Sequence, residues 1–175
     1  MARGQLPPHI EALLSPSAYP HPVERVELVQ THISYVLLAG EYVYKVKKPV
    51  ELGFLNYSTL EKRRFYCEEE VRLNSRLCSD AYVGVVAISA FRGKVLLDAP
   101  TGAALDYAVK MKRLPEERMM ERLLAENAVS SEMLTELTGR LAAFHGSSES
   151  SKHISTFGSR ETVGGNWQEN FDQTD

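Results

Sequence analysis

From Thr59 to Leu77 the chain contains neither proline nor glycine, and Ser58 with Glu61 three residues later forms a capping box at its head. This predicts one long helix, and what surrounds it restricts the fold. Before it, β-branched, aromatic and leucine residues predict short strands at Arg25–Gln30, Tyr35–Ala39 and Tyr42–Lys47, with Gly40–Glu41 as a tight turn. After it, strand patterning returns at Tyr82–Ala90, at Lys94–Leu97 beyond an Arg92–Gly93 turn, and at Leu105–Lys112 beyond the Pro100–Thr101–Gly102 break. One long helix set within strands joined by short turns predicts an α+β fold with an antiparallel sheet of about five strands.

The flanking regions are less regular. Residues 1–22 are an arm rich in proline, with one short apolar-periodic piece at Ile10–Leu14 that predicts a short helix. Pro115 suits the first turn of a helix running to about Glu126. A second helix begins after Ser130 as N-cap, aligns Leu134, Leu137, Leu141 and Phe144 along one side, and stops at Gly146. Residues 147–175, rich in serine, glycine and asparagine, read as a poorly anchored tail. The expected organisation is an arm (1–22), a sheet domain with its exit segment (23–114), and a helical region (115–175).

Composition narrows the chemistry mainly by exclusion. With 43% hydrophobic and 25% charged residues the chain suits one globular domain, and a net charge of −3 argues against a general electrostatic grip on nucleic acid or acidic membranes. Neither a signal peptide nor an apolar run of spanning length occurs, so a soluble cytoplasmic protein is expected. Cys67 and Cys78 sit too far apart in one helix to be bridged and read as reduced core residues. The histidines lack i,i+4 or C-x-x-C partnering, and neither a G-x-S-x-G elbow nor a G-x-x-x-x-G-K-[ST] loop is present.

One stretch, EYVYKVKKPV, asks for an explanation. Alternation puts Val43, Lys45 and Lys47 on one face of the strand and Tyr42, Tyr44 and Val46 on the other. On the helix, 100° per residue gathers Leu60, Cys67, Val71, Asn74, Leu77 and Cys78 into one stripe, with Glu70 at its margin and Glu68 and Glu69 elsewhere. If that stripe lies on the sheet, a Lys45–Glu70 ion pair satisfies both charges. The ordinary alternative is a lysine guarding an edge strand and a solvated glutamate, and Lys47 and Lys48 read as surface residues near Pro49.

The segment VELVQTHISYVLLAGEYVYKVKKPVELGFLNYSTLEKRRFYCEEEVRLNSRL, together with YAVKMKRLP, RLAAFH and NWQENFDQT, resembles the amino-terminal part of bacterial aminoglycoside-phosphotransferase-like proteins. These have a protein-kinase-like fold, and the group in question is often fused to a carboxy-terminal P-loop ATPase domain. The resemblance covers most of the chain from about Pro20 onward. It implies a kinase-like small lobe followed by the first helices of an incomplete large lobe.

It further implies ATP as the nucleotide, with Lys45 on its α and β phosphates, Glu70 orienting Lys45, and Lys47 as second choice for the phosphate role. Thr31-His32-Ile33-Ser34 stands where kinases carry a glycine-rich loop, so phosphate would be met by backbone N–H groups and the Ser34 hydroxyl. Lys112, Arg113 and Leu114 would be the hinge, offering backbone groups to the adenine edge, with Met111 lining its pocket. No H-x-D-x-x-x-x-N segment is present, so no catalytic residue is assigned in this chain, and ligands for Mg are expected in the remainder of the large lobe. His145 reads as a packing histidine.

The function so implied is the nucleotide-binding portion of an ATP-dependent kinase of small-molecule hydroxyls, inactive by itself. Its apolar helix faces would favour self-association. The other reading is a non-catalytic nucleotide-binding, regulatory or structural module of a multidomain ATPase.

Overall fold

The computed structural model describes residues 5–99 and 102–172. Met1–Gly4 of the arm, Pro100 and Thr101 of the predicted break, and residues 173–175 of the tail lie outside the described residues. Two compact units divide the chain, Met1–Ala128 and Val129–Asp175.

The first unit is a mixed α+β structure built on a six-stranded antiparallel sheet. Its strands are β1 (Val26–Gln30), β2 (Ser34–Ala39), β3 (Tyr42–Lys47), β6 (Tyr82–Phe91), β7 (Lys94–Leu97) and β8 (Ala104–Lys112), in the order β1-β2-β3-β8-β6-β7. A separate two-stranded piece, β4 (Glu51–Leu52) with β5 (Leu55–Asn56), joins β3 to the long helix α2 (Leu60–Asn74) and was not legible in the sequence. Gly40 turns β2 into β3 at φ +61°, where an added Cβ would meet the Pro22 carbonyl oxygen at 3.1 Å. Arg92 and Gly93 turn β6 into β7 with both φ angles positive (50° and 76°), the conformation that matches the twist of a two-residue hairpin.

Period-two alternation divides the sheet into two faces. On one, Leu37, Ala39, Tyr44, Val46, Val86, Ile88, Leu97 and Ala108 pack with Ile10, Leu13, Ala18 and Tyr19 of the amino-terminal arm. The arm is therefore part of the core. Its helix α1 (Pro8–Ala12) starts behind Pro7 and holds Ile10 at 0% exposure, and Tyr19 donates its hydroxyl to the Leu13 carbonyl at 2.8 Å. Helix α2 is seated through Cys67 and Arg63, both buried, on β8.

Several sequence expectations change here. The N-cap of α2 is Thr59, which accepts from the Lys62 N–H, because Ser58 turns both its hydroxyl and its N–H to Asn56 Oδ1. The helix ends at Asn74, so Leu77 and Cys78 fall beyond it; Cys78 is exposed and is not a core residue. In place of one helix from Pro115 there is a 3₁₀ turn (Glu116–Arg118) and then α3 (Met120–Ala125), because Met119 between them is extended at ψ 135°.

The second unit contains α4 (Ser131–Gly146), α5 (Lys152–Phe157) and α6 (Arg160–Asp172). Ser130 caps α4 as expected, but residues read as a loose tail form α5 and α6. Serines here serve as caps: Ser151 Oγ accepts from the Ile154 N–H, and Ser159 Oγ from the Thr162 N–H. Leu134, Leu137 and Leu141 are exposed, as are Phe157, Trp167 and Phe171.

Candidate functional site

Strand β3 lies inside the sheet between β2 and β8, so neither long edge of it is free. Antiparallel partners point the same way. Ser34 and Val36 of β2, opposite Lys47 and Lys45, therefore share the lysine face, as do Val109 and Met111 of β8, opposite Lys45 and Val43. Edge-strand protection does not explain these lysines.

The carboxylate of Glu70 meets both. Lys45 Nζ donates to Oε1 at 2.9 Å and Lys47 Nζ to Oε2 at 2.7 Å. The side chains are 31% exposed at Lys45, 13% at Glu70 and 4% at Lys47, so Lys45 is the member open to solvent. Lys47 is not a surface residue. The backbone that leaves β3 brings the Tyr57 ring to 4.9 Å from its ammonium. Lys48 is half-buried, donating to the Thr31 carbonyl at 2.7 Å and to Gln30 Oε1 at 3.3 Å.

Burial acts against these charges, yet the pair prevails. Burial alone would raise the Glu70 carboxyl, but hydrogen bonds from Lys47 and Lys45, then their charges, hold it below the usual carboxylate range. Burial alone would lower Lys47, and the Glu70 hydrogen bond and charge lift it above the ordinary lysine value. Cys67, on the same helix face, is pushed up to about 12 chiefly by burial, so it is an unreactive thiol.

A buried pair elsewhere sets the helix in place. Arg63 Nε donates to both oxygens of Asp106 at 2.9 and 3.1 Å, and Arg63 Nη1 donates to the Tyr57 carbonyl at 3.2 Å. Asp106 also accepts the Tyr107 N–H at 2.9 Å and faces His9 Nε2 of the arm at 3.5 Å. Glu70 lies two helical turns after Arg63, and this anchor on β8 brings it above β3. The sequence held a signal for it: Asp106 shares its strand face with Ala108, where a lone carboxylate in a core stripe demands a cation.

Of the remaining expected residues, Ser34 and Met111 share the lysine face, while Lys112, Arg113 and Leu114 lie together where β8 ends. Ser34 is 1% exposed and its hydroxyl has no partner among the described residues. The Ile33 and Ser34 N–H groups both donate to Thr31 Oγ1, at 3.3 and 2.9 Å, so the connection from β1 to β2 is closed on itself. Met111 is half-buried on the lysine face. Lys112, Arg113 and Leu114 line an open cleft of about 690 Å³ with Gly40, Glu41 and Tyr42, at the opposite end of β3 from Lys47. The N–H groups of Lys112 and Arg113 are engaged by the Ala81 and Glu41 carbonyls, each at 2.8 Å. Among the described residues no group of three or more His, Cys, Asp or Glu side chains is placed to hold a metal ion. Among them, too, no helix is long and apolar enough to cross a membrane.

As a chemical object the Lys45–Glu70–Lys47 cluster has two cations for one anion, and its excess positive charge reaches solvent at Lys45. Such a group binds an anion better than it binds a neutral ligand or a metal. No family model matches the chain, and no solved structure matches it. It is similar to uncharacterized proteins of Mycobacterium bovis and of two strains of Mycobacterium tuberculosis, each 29% identical over 154 residues that cover 86% of this chain. The chain spans 29% of the length of these relatives.

Proposed function

We propose that this chain is the nucleotide-binding portion of a cytoplasmic ATP-dependent phosphotransferase acting on a small-molecule hydroxyl, with a kinase-like small lobe in its first unit. The observation that carries the reading is the ion pair from the inner strand β3 to α2, Lys45 Nζ to Glu70 Oε1 at 2.9 Å, with Lys45 still partly open. Strand order supports it, since β8 pairs with β3 and the exit segment Lys112–Leu114 therefore leaves beside the lysine strand.

In this reading Lys45 binds the phosphates and Glu70 sets the direction of its ammonium. Met111, on the same face, offers apolar contact to a base, and Leu114 at the cleft offers backbone groups. The bound nucleotide supplies the transferable phosphoryl group, and Mg, held by ligands outside the described residues, would balance its charge. Titrating ATP, with and without Mg, against the wild type and Lys45→Ala by calorimetry tests the assignment. Loss of binding on Lys45→Ala is expected, and an unchanged affinity removes the phosphate role from Lys45.

A second reading has its own observation. Thr31 Oγ1 already occupies the Ile33 and Ser34 N–H groups, so the connection that would cover the phosphates has fewer free donors than a glycine-rich loop. A non-catalytic nucleotide-binding or regulatory module of a multidomain ATPase fits that closed loop. A H-x-D-x-x-x-x-N segment in any sequence encoded after Asp175 favours the phosphotransferase, and ATP binding without one favours the module.

A further inference from the structure

Glu70 is held from two sides that differ in access. Lys45, 31% exposed, takes Oε1, and Lys47, 4% exposed, takes Oε2. Lys47 has no route of its own to a ligand: the Tyr57 ring stands 4.9 Å from its ammonium, and Ser34, itself buried, lies opposite it in the ladder. We infer that Lys47 is the positioning residue of this site, fixing Glu70 through Oε2 so that Lys45 can be shared between Glu70 Oε1 and an arriving anion. This rests on the anion-binding reading of Lys45 given above.

The reason is electrostatic. With one lysine, a carboxylate and a phosphate compete for the same ammonium and repel each other at close range, so binding the second tends to expel the first. A second ammonium on the buried side, where screening by salt is weak, neutralises Glu70 whether or not the anion is present. Lys45 then keeps its direction while its free N–H groups turn outward. Two-lysine geometry also predicts which substitutions couple. Lys47 should matter only while Glu70 is charged, because every benefit it confers passes through that carboxylate.

The test uses the whole 175-residue chain and two readouts, ATP affinity and the rate at which Lys45 is acylated by an uncharged activated ester, which transfers its acyl group to the amine and releases its alcohol, mapped by mass spectrometry. Lys47→Met is expected to weaken ATP about tenfold and to slow Lys45 acylation about threefold, since Lys45 then faces both Glu70 oxygens alone. In a Glu70→Gln background the same substitution should change ATP affinity less than about twofold. An equal loss in both backgrounds, or faster Lys45 acylation in Lys47→Met, overturns the inference. If the wild type binds no ATP, the nucleotide reading fails while the acylation rates still decide the role of Lys47. Lys47→Arg covers the case in which Lys47→Met does not fold: it should keep Lys45 acylation within about twofold of wild type, and a larger rise sinks the idea.

Discussion

Arg63 and Asp106, 43 residues apart in sequence, meet through Arg63 Nε at 2.9 and 3.1 Å in a setting where both residues are less than a tenth exposed. The pair fastens the first turn of α2 to β8, and through His9 it also touches the amino-terminal arm. Removing one partner leaves a buried charge without compensation. Arg63→Met or Asp106→Asn should therefore cost about 3–5 kcal/mol in urea unfolding. The double change should cost less than the sum of the two, and an additive result means the contact contributes nothing specific.

Acid should act on the site through Glu70. Its folded pKa lies below its ordinary value of 4.5, so the unfolded chain binds more protons there and stability rises with pH across that range. The contribution is complete above about 4.5 and is lost as pH falls through the lower folded value. Lys47 sets the other limit: raised in the fold, it contributes fully below 10.5 and loses its contribution as pH rises beyond that. The urea midpoint difference between wild type and Glu70→Gln should be flat near neutrality and shrink below pH 4.5. A difference independent of pH down to 2 contradicts the pair.

The two thiols should separate cleanly. Cys78 is exposed, whereas Cys67 is buried with its thiol pushed up to about 12. A disulfide reagent at pH 8 is expected to modify Cys78 at least about a hundredfold faster than Cys67, which should react only on unfolding. Equal rates in the folded protein mean that α2 does not pack on β8 as described.

The arm is predicted to be a structural element. Ile10 and Leu13 are both 0% exposed, and Leu13→Ala should destabilise the first unit by about 2–5 kcal/mol, read from its unfolding midpoint. A loss under about 0.5 kcal/mol means the arm does not cover the sheet.

For the second unit the expected outcome is concentration-dependent self-association. Leu134, Leu137 and Leu141 are 49%, 42% and 39% exposed and follow one another at helical spacing. Sedimentation should show larger species at higher protein concentration, and replacing the three leucines by glutamine should reverse this. A monomer at all concentrations sinks the expectation.

Much of the sheet was legible because the strands near Lys45 alternate and their turns carry glycine. β3 and β7 fall at Tyr42–Lys47 and Lys94–Leu97, the ranges expected from the pattern. The Lys45–Glu70 contact was legible only as one of two alternatives. The period of two put Lys45 on a sheet face and the period of 3.6 put Glu70 at the margin of the helix stripe, and the structure joins them at 2.9 Å. The packed face of α2 was harder to read. It buries Arg63, which the stripe omitted, and leaves Asn74, Leu77 and Cys78 exposed, so a search weighted to apolar residues misses the anchor and overextends the stripe at its end. The helices after Ser147 were hidden because serine and glycine resemble a linker locally, while the serines here satisfy helix N-termini.

By itself the sequence determined the α+β class, the extent of most strands and the long helix, all of which follow from repeats within a few residues, and it offered Lys45 and Glu70 as one candidate pair beside the alternative of a solvated lysine and glutamate. Only the tertiary structure decided that Lys47 joins the same carboxylate, that Asp106 finds Arg63, and that a proline-rich arm closes the core. These depend on which buried polar atom meets which, and that is set when distant segments exclude water together, not by any local period.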